Sequence, residues 1–210
     1  VTLNLGFVVV EVVFGFLANS LALLADAGHN LSDVLGLLLA WGASVLVRKK
    51  PTLRYTYGLR RSSILAAMIN ALVLLVAVGG IAWESVLRFG QPEAVASGTV
   101  ILVASVGIII NGFTAWLFMS GRDQDLNIRG AYLHMMADAA VSLGVVCAAV
   151  AMSFTGWLWL DPLVSLAIGV VIGVGTWGLL RESLNLALDA VPANIKAAGV
   201  EAYLVSLPGI

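Results

Sequence analysis

Six stretches of the chain are almost continuously apolar, and short polar connections separate them: 1–18, 21–47, 62–87, 97–120, 129–154 and 162–181. A hydrocarbon core of roughly 30 Å needs about 20 apolar residues when crossed as a helix, and the pattern meets that requirement six times. It predicts an all-α membrane protein, a bundle of six transmembrane helices over residues 1–190. Residues 191–210 follow the last stretch as a short tail. All five prolines (Pro51, Pro92, Pro162, Pro192 and Pro208) fall in connections or at the start of a stretch, as unbroken spans require. Asp161, just before Pro162, reads as the N-cap of the last span.

Composition agrees and narrows the class. Hydrophobic residues make up 60% of the chain and charged residues 11%, with a mean hydropathy of +1.02, which excludes an ordinary soluble domain. The partner such a chain requires is the lipid bilayer, and no nucleic acid is expected. The single cysteine, Cys147, lies in an apolar run and reads as a core residue. The chain opens inside an apolar run without a basic segment before it, so that run reads as a span rather than a signal peptide, and Val1 does not read as a native N-terminus.

Charge sets the orientation. The loop after the second stretch holds Arg48, Lys49, Lys50, Arg54, Arg60 and Arg61, the loop after the fourth holds Arg122 and Arg129, and Arg181 and Lys196 follow the sixth. Short loops rich in Lys and Arg stay in the cytoplasm. Ten of the eleven basic residues then share one side, both chain ends are expected to be cytoplasmic, and Arg88 alone lies opposite.

The chain has two histidines, and each opens the same pattern: His29-Asn-Leu-Ser-Asp33 and His134-Met-Met-Ala-Asp138. On a helix the i, i+4 spacing puts imidazole and carboxylate on one face. The motifs occupy the second and fifth spans, each the middle helix of a three-helix half, and an odd number of spans per half makes the two helices antiparallel. His29 is therefore expected level with Asp138, and Asp33 with His134. Counting from the span boundaries sets the first motif slightly to the outer side of mid-membrane and the second slightly to the inner side. Two imidazoles and two carboxylates are a donor set and number that suit tetrahedral Zn²⁺.

Carboxylates deep in a membrane pair, bind an ion or line a water path. Besides Asp33 and Asp138, two qualify. Asp26, three residues before His29, is either a secondary ligand or a hydrated or capping residue near the outer end of its span. Glu11 in the first span is a candidate for lining the pathway. Asn70 and Asn111, mid-span in the third and fourth helices, either line a polar path or hydrogen-bond between helices. Gly169-Val-Val-Ile-Gly173 permits close packing of the last span, and Trp157 and Trp159 mark the outer interface.

Neither a metalloprotease HExxH, a GxSxG elbow nor a phosphate-binding loop is present, so an enzyme is not expected and uphill transport would draw on an ion gradient. A histidine must be neutral to ligate a metal, so Zn²⁺ and H⁺ compete for the same nitrogens. At an ordinary histidine pKa of about 6.5 that exchange falls near physiological pH. The imidazoles shift preference toward Zn²⁺, Co²⁺ or Ni²⁺ and away from Mg²⁺ and Ca²⁺.

The segments Ser20-Leu-Ala-Leu-Leu-Ala-Asp-Ala-Gly-His29 through Asp33, Arg54-Tyr-Thr-Tyr-Gly58, Asp125-Leu-Asn-Ile-Arg-Gly-Ala-Tyr-Leu-His134 through Asp138, and Asp161-Pro162 together resemble the cation diffusion facilitator family, in its bacterial zinc, cobalt and cadmium efflux branch. The resemblance implies a six-helix homodimer of the bacterial inner membrane. It implies export of Zn²⁺, with Co²⁺ and Cd²⁺ as further cargo, from the cytoplasm in exchange for protons. It also implies a metal site of His29, Asp33, His134 and Asp138, histidine at both leading positions being similar to the zinc-preferring members. The resemblance makes residues 191–210 a linker and the start of the family's cytoplasmic domain, 203–210 looking like its first helix and turn, and the loop after the fourth span lacks the histidine-rich insert of some relatives. The competing class is a non-transporting membrane scaffold, or a passive cation pore, with structural His–Asp pairs.

Overall fold

The computed structural model describes the chain except for residues 1, 49, 51, 54, 55, 57, 60, 124, 192–194 and 208–210. Lys49, Arg54 and Arg60 of the basic loops, Pro51, Pro192 and Pro208, and part of the motif from Arg54 to Gly58 therefore lie outside the described residues. Among the described residues the regular structure is entirely helical: α1 (Thr2–Leu17), α2 (Leu21–Val47), α3 (Ser62–Gly90), α4 (Ser97–Phe118), α5 (Leu126–Thr155), α6 (Leu160–Ala187) and α7 (Ala197–Val205). Five of these, α2 to α6, are long and apolar enough to cross a membrane. The apolar α1 has 16 residues, short of that length.

Local chemistry explains the helix ends. Ser20 caps α2 by accepting from Leu23 N, and the turn before it places Asn19 at φ 54°, a left-handed conformation that asparagine tolerates. Asp125 caps α5 by accepting from the amides of Asn127 and Ile128, so that helix begins three residues earlier than hydropathy alone indicates. Gly156, at φ 69°, closes α5 in a left-handed cap.

The helices pack as two close pairs, α3 with α6 and α4 with α5, with α2 lying along α3 and α1, and touching α5 over a short stretch. Lipid removes the hydrophobic drive between helices, so small residues that let backbones approach carry the packing. Ala18, Ala22, Ala25, Ala104 and Ala149 accordingly sit in the buried core with Leu23, Val103 and Met152. A Cβ on Gly107 would come within 3.0–3.2 Å of the Phe7 ring and the Ser142 hydroxyl, so α4 needs glycine there. Gly169 lies in ordinary contact distance of Val78, and Gly173 faces open space.

This core occupies the end of the bundle at which α2 begins. Toward the other end lies a cavity of about 530 Å³ between α2, α3 and α6, lined by Gly36, Ala40, Ser44, Ala67, Asn70 and Leu179 among others. The bundle is tight at one end and open at the other. Cys147 is a correction: it is exposed, because the buried face of α5 runs through Val145, Ala148, Ala149 and Met152 and leaves position 147 pointing out of the bundle.

Candidate metal centre

The two motifs meet. His29 Nε2 lies 3.2 Å from Asp138 Oδ1, His134 Nε2 lies 3.2 Å from Asp33 Oδ2, and His134 Nε2 lies 3.7 Å from Asp138 Oδ2. One ligand atom each from His29, Asp33 and Asp138 falls within 4.8 Å of the others, and the two imidazole rings stand 6.1 Å apart, edge to face. The antiparallel arrangement brings the two pairs level, so the offset across mid-membrane counted from the span boundaries does not persist. Three rungs now join α2 to α5, the third being a hydrogen bond of 2.8 Å from the Ser142 hydroxyl to Asp26 Oδ2. Each rung is about a helical turn from the next, because 26, 29 and 33 on one helix face 142, 138 and 134 on the other.

Accessibility changes steadily along this ladder. Asp26 and Ser142 are fully buried, the side chains of Asp138 and His29 are 3% and 24% exposed, and those of Asp33 and His134 are 33% and 43% exposed. The open rung points toward the end of the bundle that carries Arg48. A cavity of about 90 Å³ leads to it, lined by Asn30, Asp33, Asn111, His134 and Asp138 and walled by Phe7, Val34 and Leu37. The larger, 530 Å³ cavity lies on the opposite face of α2 and contains none of the four residues.

The secondary residues divide between these faces. Asn111 lines the small cavity, whereas Asn70 lines the large one and lies 3.5 Å from the Ser32 hydroxyl. Glu11, fully buried, accepts a 2.9 Å hydrogen bond from the Asn30 amide. Asp26 neither caps α2 nor meets solvent, since Ser20 does the capping and the core covers the carboxylate. Asn30 and Ser142 escaped the sequence reading, although both continue the polar stripes, Asn30 beside His29 and Ser142 four residues beyond Asp138.

Asp161 is a second correction. It does not cap its own helix, whose N-cap position is Trp159, but accepts from the Ser20 hydroxyl (2.5 Å), Leu21 N (2.8 Å) and Ala22 N (3.3 Å) at the start of α2. A carboxylate suits that place because the first amides of a helix lack internal partners and carry its positive dipole end. Arg88, the one basic residue expected on the outer side, is held beside this clasp. It donates to Asn19 O and Oδ1 at 2.8 and 2.7 Å and lies within 3.4 Å of Glu84 and Glu93. Trp157 and Trp159 stack at 6.0 Å on the same end, exposed.

Ligands of tetrahedral Zn²⁺ at about 2.0–2.2 Å stand roughly 3.3–3.6 Å from one another. The 3.2 and 3.7 Å contacts between imidazole nitrogens and carboxylate oxygens are of that size. His29, Asp33 and Asp138 each offer an atom within reach of one shared ion, and His134 stands at the edge of that group against both carboxylates.

A membrane-embedded helical bundle with paired histidines and carboxylates at its centre defines a class of cation-handling membrane proteins, and the comparisons give the family. Residues 1–186 match the cation efflux transmembrane domain. The chain belongs to the cation diffusion facilitator family, in its zinc, cobalt and cadmium efflux branch, and this is a family of transporters rather than enzymes. It is 37% identical to the cadmium, cobalt and zinc/H(+)-K(+) antiporter of Bacillus subtilis strain 168, over 98% of this chain and 67% of that protein. It is 40% identical to zinc transporter ZitB of Escherichia coli K12, over 92% of this chain and 62% of the relative. Identity to the metal cation efflux system protein CzcD of Cupriavidus metallidurans is 37%, over 97% and 65% respectively. The chain thus spans about two-thirds of the length of these relatives. With bacterial relatives and apolar spans, it is an integral protein of the bacterial inner membrane.

Proposed function

We propose that this chain exports Zn²⁺ from the cytoplasm in exchange for protons, through a four-ligand site of His29, Asp33, His134 and Asp138. The observation that carries the proposal is the crossed contact of two His–Asp pairs, at Zn²⁺-ligand spacing, deep in an apolar bundle. Two imidazoles favour Zn²⁺, Co²⁺ and Cd²⁺ over Mg²⁺ and Ca²⁺. Each imidazole must shed any added proton before it can ligate, so metal arriving on one side drives protons off, and protons arriving on the other displace metal. The relative from Bacillus, named as an antiporter with H(+), supports the exchange.

In this reading α1 to α6 all cross the membrane, residues 1–190 form the transport domain, and both ends of the chain are cytoplasmic. Residues 191–210, including α7, lead into a cytoplasmic domain, and two copies form a homodimer. The open rung then faces the cytoplasm and the buried rung faces out, so the arrangement is one that loads metal from inside. The test is Zn²⁺ uptake into proteoliposomes under an imposed pH gradient. Wild-type protein accumulates Zn²⁺ and Asp138→Ala does not, while remaining folded. Normal uptake by Asp138→Ala would overturn the site, and uptake indifferent to the pH gradient would return the passive pore.

A further inference from the structure

Glu11 and Asp26 hold two carboxyl groups in the tight end of the bundle, both fully buried. Each has one oxygen satisfied, Glu11 Oε2 by the Asn30 amide and Asp26 Oδ2 by the Ser142 hydroxyl. The second oxygen of each, Glu11 Oε1 and Asp26 Oδ1, is buried with no hydrogen-bond donor among the described residues. Neither residue is in an ion pair among those residues. The titratable neighbours that face Glu11 are Asp26 on α2 and Asp138 on α5, and those that face Asp26 are His29, Asp138 and Glu11. α4, packed on the same side, carries no charged residue. His29 is thus the sole basic neighbour of the pair, and it is already engaged with Asp138. Two ionised carboxylates so placed, with no cationic side chain to balance them, would be prohibitively costly in an apolar interior. Their charge has to be balanced by a cation drawn from solution.

We propose that Glu11 and Asp26 form a second cation site beside the His–Asp centre, with Asp26 one helical turn beyond His29 on its closed side and Glu11 held at the level of Asn30, distinct in donors from the four-ligand site. Its donors are oxygens only: two carboxylates, with the Ser142 hydroxyl and the Asn30 amide in support. Such a set holds a proton, or a divalent ion more weakly than imidazoles do. Asp26 precedes His29 by three residues, about 4.5 Å along α2, so a divalent charge entering the His–Asp centre acts directly on the occupant. Asp26 lies on the side of His29 away from the open rung, where a cation leaving the histidines would next arrive.

The experiment is a Zn²⁺ titration of the full chain in lipid nanodiscs, in weak buffer with a pH indicator, counting metal bound and protons released. Glu11→Gln on α1 and Asp26→Asn on α2 each keep the shape and remove the charge, and either one that folds suffices. If the occupant is a proton, the variants bind the same amount of Zn²⁺ and release about one proton fewer per ion. If it is a divalent ion, wild-type protein takes up a second, weaker equivalent that the variants lose. Both results support the site and identify its occupant. Variants that match wild type in both counts overturn it. Co²⁺ in place of Zn²⁺ reports the His–Asp centre separately, by the intense visible bands of a tetrahedral ion. Those bands should persist in Glu11→Gln, and their absence from wild-type protein would sink the four-ligand site without touching the acid pair.

Discussion

Asp138 and Asp161 are both buried aspartates in membrane-embedded helices, and they are put to opposite uses. Asp161 has its acceptor positions filled by donors that cannot leave: two backbone amides and a serine hydroxyl at the start of α2. Among the described residues Asp138 meets two imidazole nitrogens, which can give up protons and turn their lone pairs to a metal. A carboxylate saturated by fixed donors locks structure, whereas one facing exchangeable donors is available to a cation. Asp26 and Glu11 stand between the two, each half satisfied.

The largest expected effect tests the exchangeable side of that contrast. Asp138→Ala should weaken Zn²⁺ binding by more than the 10–100-fold that loss of a mere supporting contact to a ligand costs, and should abolish transport. Its thermal unfolding in detergent should change little. Asp161→Ala should do the reverse, leaving buried amides at the start of α2 without an acceptor and lowering stability by roughly 2–4 kcal/mol. Zn²⁺ affinity, measured below the unfolding temperature, should change far less than in Asp138→Ala. Equal losses of affinity in the two variants would erase the distinction.

Arg88→Gln removes a partly buried guanidinium that clasps Asn19, and should cost about 1–2 kcal/mol of stability with the metal centre intact. The smallest effect belongs to Arg61→Ala. Its 2.7 Å contact with Asp189 joins two side chains that are 62% and 70% exposed, so the change should stay below about 1 kcal/mol and shrink further at high salt. A larger loss there would mean that the pair fastens α3 to the end of α6.

Zinc binding should also weaken as pH falls through the ordinary histidine range near 6.5, because protonated imidazole cannot ligate. Equilibrium dialysis at pH 5.5 and 7.5 reads this directly. Retention of full affinity at the lower value would remove the histidines from the site.

Much of this was legible in the residues. Hydropathy located α2 to α6 because a 30 Å apolar slab allows few alternatives to a long helix, and the repeated His-x-x-x-Asp spacing put each pair on one helical face. Antiparallel pairing followed from the number of spans between the motifs, which is why the crossed contacts of His29 with Asp138 and Asp33 with His134 were expected. Cys147 and Asp161 were misread for one reason. Hydropathy says that a residue lies within a span, or at its start, but not which neighbour it faces, so a cysteine on the outside of the bundle reads as core and a clasp between helices reads as a local cap.

The sequence by itself determined where the long helices lie and the register that brings His29 to Asp138 and Asp33 to His134, since these depend on intervals along the chain. Tertiary structure alone decided which end of the ladder is open, where Arg88 finds its partners, and that Glu11 and Asp26 each keep one oxygen without a partner among the described residues. Those features depend on how α1, α3, α4 and α6 close around α2 and α5, and no spacing along a single helix encodes that.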